Sequence, residues 1–309
     1  MLLATSYWLL AMPCPVLLAA MNVMKSDFVF LGLAVLASLL LVSGLGGSAV
    51  MGLLGYAGMS LNEVMLRQEL NAARAILAQQ GLGSLALFLL PAAALLQRWS
   101  VQAAHEGELE SPELPKPRWT WIQTLMAWSV LPALLPLLEW STGTWVDLLR
   151  SMNWAPEAIA HAERQAQLVD RVLFLPHLFD QLLAVVVFVL IAAVGEELFF
   201  RGALQRMLRP RWGRNAVFVS ALLFAGFHFD LLHVPFLVTA GLLLAWLYER
   251  SGRLWVPVGA HVLHNALTYI DAQRAGPGSY ADLSAEPWSW TVAATTLAAL
   301  ALLAALRRE

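Results

Sequence analysis

Val194-Gly195-Glu196-Glu197-Leu198-Phe199-Phe200-Arg201-Gly202 closes an apolar run that extends from Leu182 to Val194. A segment of that composition is suited to hydrocarbon, where two adjacent carboxylates and an arginine are costly. A charged side chain at the centre of a bilayer costs roughly 2.5–3.5 kcal/mol on insertion scales, and such residues mark pairing or function. Glu197 and Arg201 are four apart, so on a helix they share one side and can pair. Glu196 points about a quarter-turn away, towards whatever packs beside Ala192, Ala193 and Phe200. The spacing thus assigns Glu197 and Arg201 to structure and leaves Glu196 for chemistry. A competing reading puts all three among the headgroups as an interfacial cluster, which is cheap.

Working outward, the 309-residue chain is 59% hydrophobic and 13% charged. Soluble domains carry about 25% charged residues, so half that share predicts a polytopic membrane protein. A net charge of −2 gives no nucleic-acid signature. The single cysteine, Cys14, excludes an intramolecular disulfide and a cysteine-rich metal site. Thirteen tryptophans suit two membrane interfaces.

The expected fold is an all-α bundle of about eight transmembrane helices with its catalytic core in the C-terminal half. Residues 1–27 form an apolar segment broken by Pro13-Cys14-Pro15. It reads as an extra span, a peripheral segment, or residues left untranslated if synthesis starts at Met21 or Met24. Residues 28–171 hold three spans, at about 28–56, 82–96 and 119–138. Between them lie an amphipathic connector (58–80) and an acidic loop (99–118), and a water-facing excursion follows (139–171). The catalytic core, 172–271, carries spans at about 174–200, 216–229, 231–248 and 254–270. Residues 272–309 carry the last, at about 288–306. Thirteen of the 19 lysines and arginines, including Arg201 to Arg214 read as a basic loop, fall on one side of this arrangement. The positive-inside rule makes that side cytoplasmic, with the C-terminus there and the protein in the cell (inner) membrane.

Three further polar groups lie in the core. Phe224-Ala-Gly-Phe-His228 places a histidine deep in the fifth span, one turn after Phe224. His261-Val-Leu-His264-Asn265 places His261 and Asn265 on one face of the seventh. Asp180 and His177 are expected at water or the membrane boundary. A lone membrane histidine is more often a helix–helix hydrogen-bond partner than a catalyst. His264 and His233 keep that reading or a turn role. Convergence favours chemistry for the others, because a glutamate, two histidines and an amide on three helices exceed what packing needs. A buried glutamate can take a proton from water, and a histidine can hold that water. A second histidine and an asparagine can donate to an oxyanion. The same His228, His261 and glutamate also match a two-histidine, one-glutamate zinc set, although the chain has no HExxH helix.

Glu196-Glu197-x-x-x-Arg201, Phe224-x-x-x-His228 and His261-x-x-x-Asn265 together resemble the three-motif signature of the CaaX-protease and bacteriocin-processing (CPBP) family of intramembrane endopeptidases. Phe199-Phe200-Arg201-Gly202 and Ser251-Gly252-Arg253-Leu254-Trp255 fit the same pattern. The resemblance covers about residues 174–271. It implies that Glu196 activates water with His228, that Glu197 and Arg201 complete the first motif, and that His261 and Asn265 form the oxyanion site. It leans towards a glutamate mechanism with no cofactor, with Zn2+ as the alternative. Expected partners are the lipid bilayer and a membrane-tethered, lipidated or amphipathic peptide, and no oligomeric state is indicated. Two other classes compete: a non-catalytic binding or immunity protein of this fold, and a proton-coupled carrier, against which the lack of an inverted repeat counts.

One expectation conflicts with the rest. Straight helices counted from the cytoplasmic side put His228 about 21 Å beyond Arg214, but Glu196 only about 7.5 Å beyond Arg201. The two meet only if helix continues past Arg201, or if the fifth span starts later or tilts sharply.

Overall fold

The computed structural model describes residues 14–60, 63, 64, 67, 69–106, 119–154, 156–278 and 289–307. Every regular element among them is helical. Residues 1–13, residues 107–118 with Lys116 and Arg118, and Arg308 lie outside the described residues.

Each of the eight expected stretches is helical. The first is α1 (Cys14–Ser38), which passes through a π-helical stretch into α2 (Gly47–Leu53). The second, α3 (Leu70–Ser84) with α4 (Leu90–Glu106), starts earlier and ends later than expected. The second half of the supposed connector and the first part of the acidic loop therefore belong to it. α5 (Trp121–Ser151) likewise runs on through residues read as a water-facing excursion, and the amphipathic α6 (Pro156–Leu173) follows. Ile159 of α6 is buried against Val146 and Leu149 of α5 and against Leu232, so this region covers the turn that carries Leu232. Among the described residues, four stretches are long and apolar enough to cross a membrane: Ser26–Leu53, Leu70–Gln102, Trp121–Ser151 and Leu178–Phe227. The fold is an all-α membrane bundle.

The main correction concerns the residues after Arg201. α7 (Leu178–Val185), α8 (Ala192–Glu197) and α9 (Arg206–Trp212) are joined by π-helical stretches, Val186–Ile191 and Leu198–Gln205, into one continuous rod. Arg201 is no loop residue: it is 0% exposed inside that rod. The chain reverses only at Gly213–Asn215, where Gly213 takes φ +53°, a value that favours glycine. α10 (Ala216–Phe227) then returns alongside. Measured from this turn, Glu196 lies about 24 Å up the rod and His228 about 20 Å up α10. The conflict in depth disappears, because about three more turns of helix than expected separate Glu196 from the reversal.

α11 (Val234–Ser251) runs parallel to the rod, and the contacts between them repeat at every fourth residue. Arg201 donates to Gly241 O at 2.9 Å, Gln205 to Ala245 O at 3.2 Å, and Arg209 pairs with Glu249. α12 (Trp255–Ala275) and α13 (Trp290–Arg307) complete the bundle against α5. Asp180 also departs from expectation. It is 3% exposed and takes three hydrogen bonds from Arg74 at 2.8–3.1 Å, fastening the start of the rod to α3. Four residues of sequence around an acid do not reveal a cation 106 residues away, so an aspartate near a helix start read as solvated.

Gly241 lets α10 and α11 touch. A Cβ built there would stand 3.1 Å from Ala221 O and 3.1 Å from a Phe224 ring carbon. Gly241→Val should force the two helices apart and lower the thermal unfolding midpoint in detergent, with overpacking worth about 1–3 kcal/mol. A midpoint equal to the parent's would show that the contact is not this tight.

Candidate active site

The two glutamates share α8 between two π-helical stretches, a feature common at functional sites because it re-aims side chains without ending the helix. Glu197 is 0% exposed, and its Oε1 accepts two charge-assisted bonds: from Arg201 Nη1 at 2.8 Å and from His261 Nδ1 at 2.9 Å. The second Arg201 amine donates to Gly241 O, and the guanidinium lies 4.7 Å from the centroid of the Phe224 ring. Arg201 therefore draws the rod, α10 and α11 together.

Glu196 is held differently. Its Oε2 is buried and has no hydrogen-bond partner among the described residues. Two imidazole nitrogens face it, His228 Nε2 at 3.7 Å and His261 Nε2 at 4.0 Å. The other nitrogen of each ring fixes its tautomer. His228 Nδ1 lies 2.7 Å from Phe224 O, and a carbonyl can only accept, so Nδ1 carries the proton. His261 Nδ1 meets a carboxylate oxygen that already accepts from Arg201, so it too must donate. In their neutral forms both rings turn a bare Nε2 towards Glu196. Separations of 3.7 and 4.0 Å are too long for direct hydrogen bonds and suit bridging by one water.

Five of the six predicted residues are thus assembled: Glu196, Glu197, Arg201, His228 and His261. His228 sits at the C-terminal end of α10 rather than within it, since Phe227 is the last helical residue. Asn265 shares the His261 face of α12, and its Nδ2 donates to Phe188 O at 3.0 Å in the first π-helical stretch. One of its two amide hydrogens is therefore already used. Sequence reasoning missed the carbonyls of Gly241, Phe224 and Phe188, which anchor Arg201, His228 and Asn265. Backbone acceptors leave no mark in residue type, although a glycine amid the leucines of α11 was a signal for close approach. His264, assigned to packing, is 6% exposed, but its Nδ1 has no partner among the described residues.

A buried carboxylate faced by two oriented imidazoles, His261 buried and His228 partly exposed, makes a candidate acid–base site inside a membrane bundle. Residues 178–267, the segment that carries all of these groups, match the family described as Type II CAAX prenyl endopeptidase Rce1-like. The chain is also 31% identical over 91 residues to a Bacillus subtilis (strain 168) protein named "Putative membrane peptidase YdiL". That alignment covers 28% of this chain and 36% of the relative, so the likeness is confined to about a third of either protein. No solved structure matches the chain. Residues 178–267 therefore match an Rce1-like domain, in agreement with the three sequence motifs.

Removing the Arg201 guanidinium should leave the Glu197 carboxylate buried without its main counter-charge. Breaking a buried pair in this way costs about 3–5 kcal/mol. Arg201→Met should therefore lower the thermal unfolding midpoint of the purified protein well below that of an exposed control such as Arg214→Met. Equal midpoints would show that Arg201 does not hold the helices together.

Proposed function

We propose that this protein is an intramembrane endopeptidase that cleaves membrane-tethered or lipidated peptides with water activated by Glu196. The observation that carries the reading is the unpartnered Glu196 Oε2 facing His228 Nε2 at 3.7 Å. A water between them gives one hydrogen to each acceptor, which leaves its lone pair free to attack a scissile carbonyl carbon. Glu196 takes the proton as the C–O bond forms and passes it to the leaving amine as the C–N bond breaks. The second amide hydrogen of Asn265 donates to the oxyanion, and His261 joins it in its doubly protonated form, an imidazolium with Glu197 as counter-ion. The family description makes a prenylated C-terminal peptide the first substrate to try. The arginine distribution supports a cell-membrane protein whose C-terminus is cytoplasmic.

Zinc is the alternative, and it makes its own demand on the donor geometry. His228, His261 and Glu196 are the right kinds of ligand, but zinc bonds of 2.0–2.1 Å need tetrahedral donors about 3.3 Å apart. The measured separations are 3.7 and 4.0 Å, and no group of three or more His, Cys, Asp or Glu among the described residues is arranged to hold a metal ion. The fit is poor, and the proposed steps use protein groups alone.

Glu196→Gln and His228→Ala, purified in folded form, should each cut turnover of a prenylated peptide by about 10²–10⁴-fold, the usual contribution of a positioned acid–base group. Parent turnover should survive a chelator. Unchanged turnover in both variants would overturn the assignment. Loss with chelator and recovery with zinc would establish the metal-dependent form instead.

A further inference from the structure

The polar face of α12 continues past the catalytic histidine. His261, His264, Asn265 and Thr268 fall within about 100° of one another around the helix. The first and third are engaged, by Glu197 and by Phe188 O. His264 Nδ1 and Thr268 Oγ1 are buried and have no partner among the described residues.

Thr268, like Thr142, departs from the usual pattern of this molecule's helices. Hydroxyls on its helices commonly donate to the carbonyl four residues back, as Thr124, Ser129, Thr144, Ser251, Thr295 and Thr296 do. Thr268 does not, although the carbonyl of His264 stands in that position. A buried polar atom without a partner is costly, more so where no water competes. Here two such atoms belong to the helix face that carries His261. His264 is also 6% exposed, and its ring packs on Phe236 with centroids 5.2 Å apart, which fixes where the unpaired nitrogen sits.

We infer that His264 and Thr268 form a subsite for the backbone of the peptide substrate, which lies extended along α12 from His261 to Thr268. This rests on the endopeptidase reading and names what that site binds. A peptide strand entering a membrane bundle brings its own unsatisfied N–H and C=O groups, and those are the partners that these two side chains lack. The distances agree: seven helical residues span about 10.5 Å, the length of about three residues of extended chain. Because the contacts are to backbone, the subsite selects an extended, unfolded segment and is indifferent to side-chain identity at those positions.

The test uses the full chain carrying Glu196→Gln in lipid nanodiscs and a fluorescent prenylated peptide with a CaaX ending. A series of the same peptide has one amide at a time replaced by an ester. Thr268→Val and His264→Leu should each weaken binding roughly five-fold, the worth of one hydrogen bond. At one position an ester should weaken binding to the Glu196→Gln protein by a similar factor. The same ester should cause no further loss once the matching side chain has been removed. Unaltered affinity in both variants, losses that multiply at every ester position, or absence of peptide binding would each overturn the subsite. If this coupling holds while the parent protein fails to cleave the peptide, the subsite stands and the endopeptidase reading falls.

Discussion

One carboxylate oxygen organises this domain. Glu197 Oε1 accepts from Arg201 on its own rod and from His261 on α12, and Arg201 reaches on to Gly241 of α11. In water such contacts would be worth little. Buried at 0% exposure, they are hard to break, because each group would otherwise be a bare charge in hydrocarbon. The same contacts sort the two neighbouring acids. Glu197 is consumed by structure, whereas Glu196 has an oxygen left over and two imidazoles turned towards it.

The arrangement works because the helices present their groups at one depth. A rod extended by π-helical stretches carries Arg201 well below the membrane surface, and a sharp turn after Trp212 sends the short α10 back to the level of Glu196. α10 ends just before His228, so that ring sits on a helix terminus and hydrogen-bonds the last turn through Phe224 O. The Arg201, Gln205 and Arg209 contacts to α11 then fix the register of the rod along 12 Å or so of its length. Side chains scattered through seventy residues of sequence thereby meet without a long loop.

Much of this was legible in the sequence. The separation of Glu196 from the Glu197–Arg201 pair followed from helical spacing alone, and the three motifs pointed to the residues that gather. The path of the chain between them was less visible. Charge counting put Arg201 at the start of a cytoplasmic loop, because Arg206, Arg209, Arg211 and Arg214 follow it closely and make the stretch look solvated. The Asp180–Arg74 bond was hidden for the same reason, since pairing across 106 residues leaves no local pattern. Asn265 was expected at the oxyanion site, yet its amide donates to a carbonyl in a π-helical stretch. No residue-type pattern announced that stretch. His264 went the other way: one more histidine on a crowded face seemed surplus, and only burial without a partner distinguishes it.

The tautomers of the two histidines carry the account, and they can be measured. The 15N spectrum of histidine-labelled protein in nanodiscs, assigned with His228→Gln and His261→Gln, reports which ring nitrogens bear protons. The structure requires a proton on Nδ1 of both rings, donated to Phe224 O and to Glu197. A bare Nδ1 on either ring would mean that the imidazoles are not turned towards Glu196 as described, and the site would have no means of holding a water against its carboxylate.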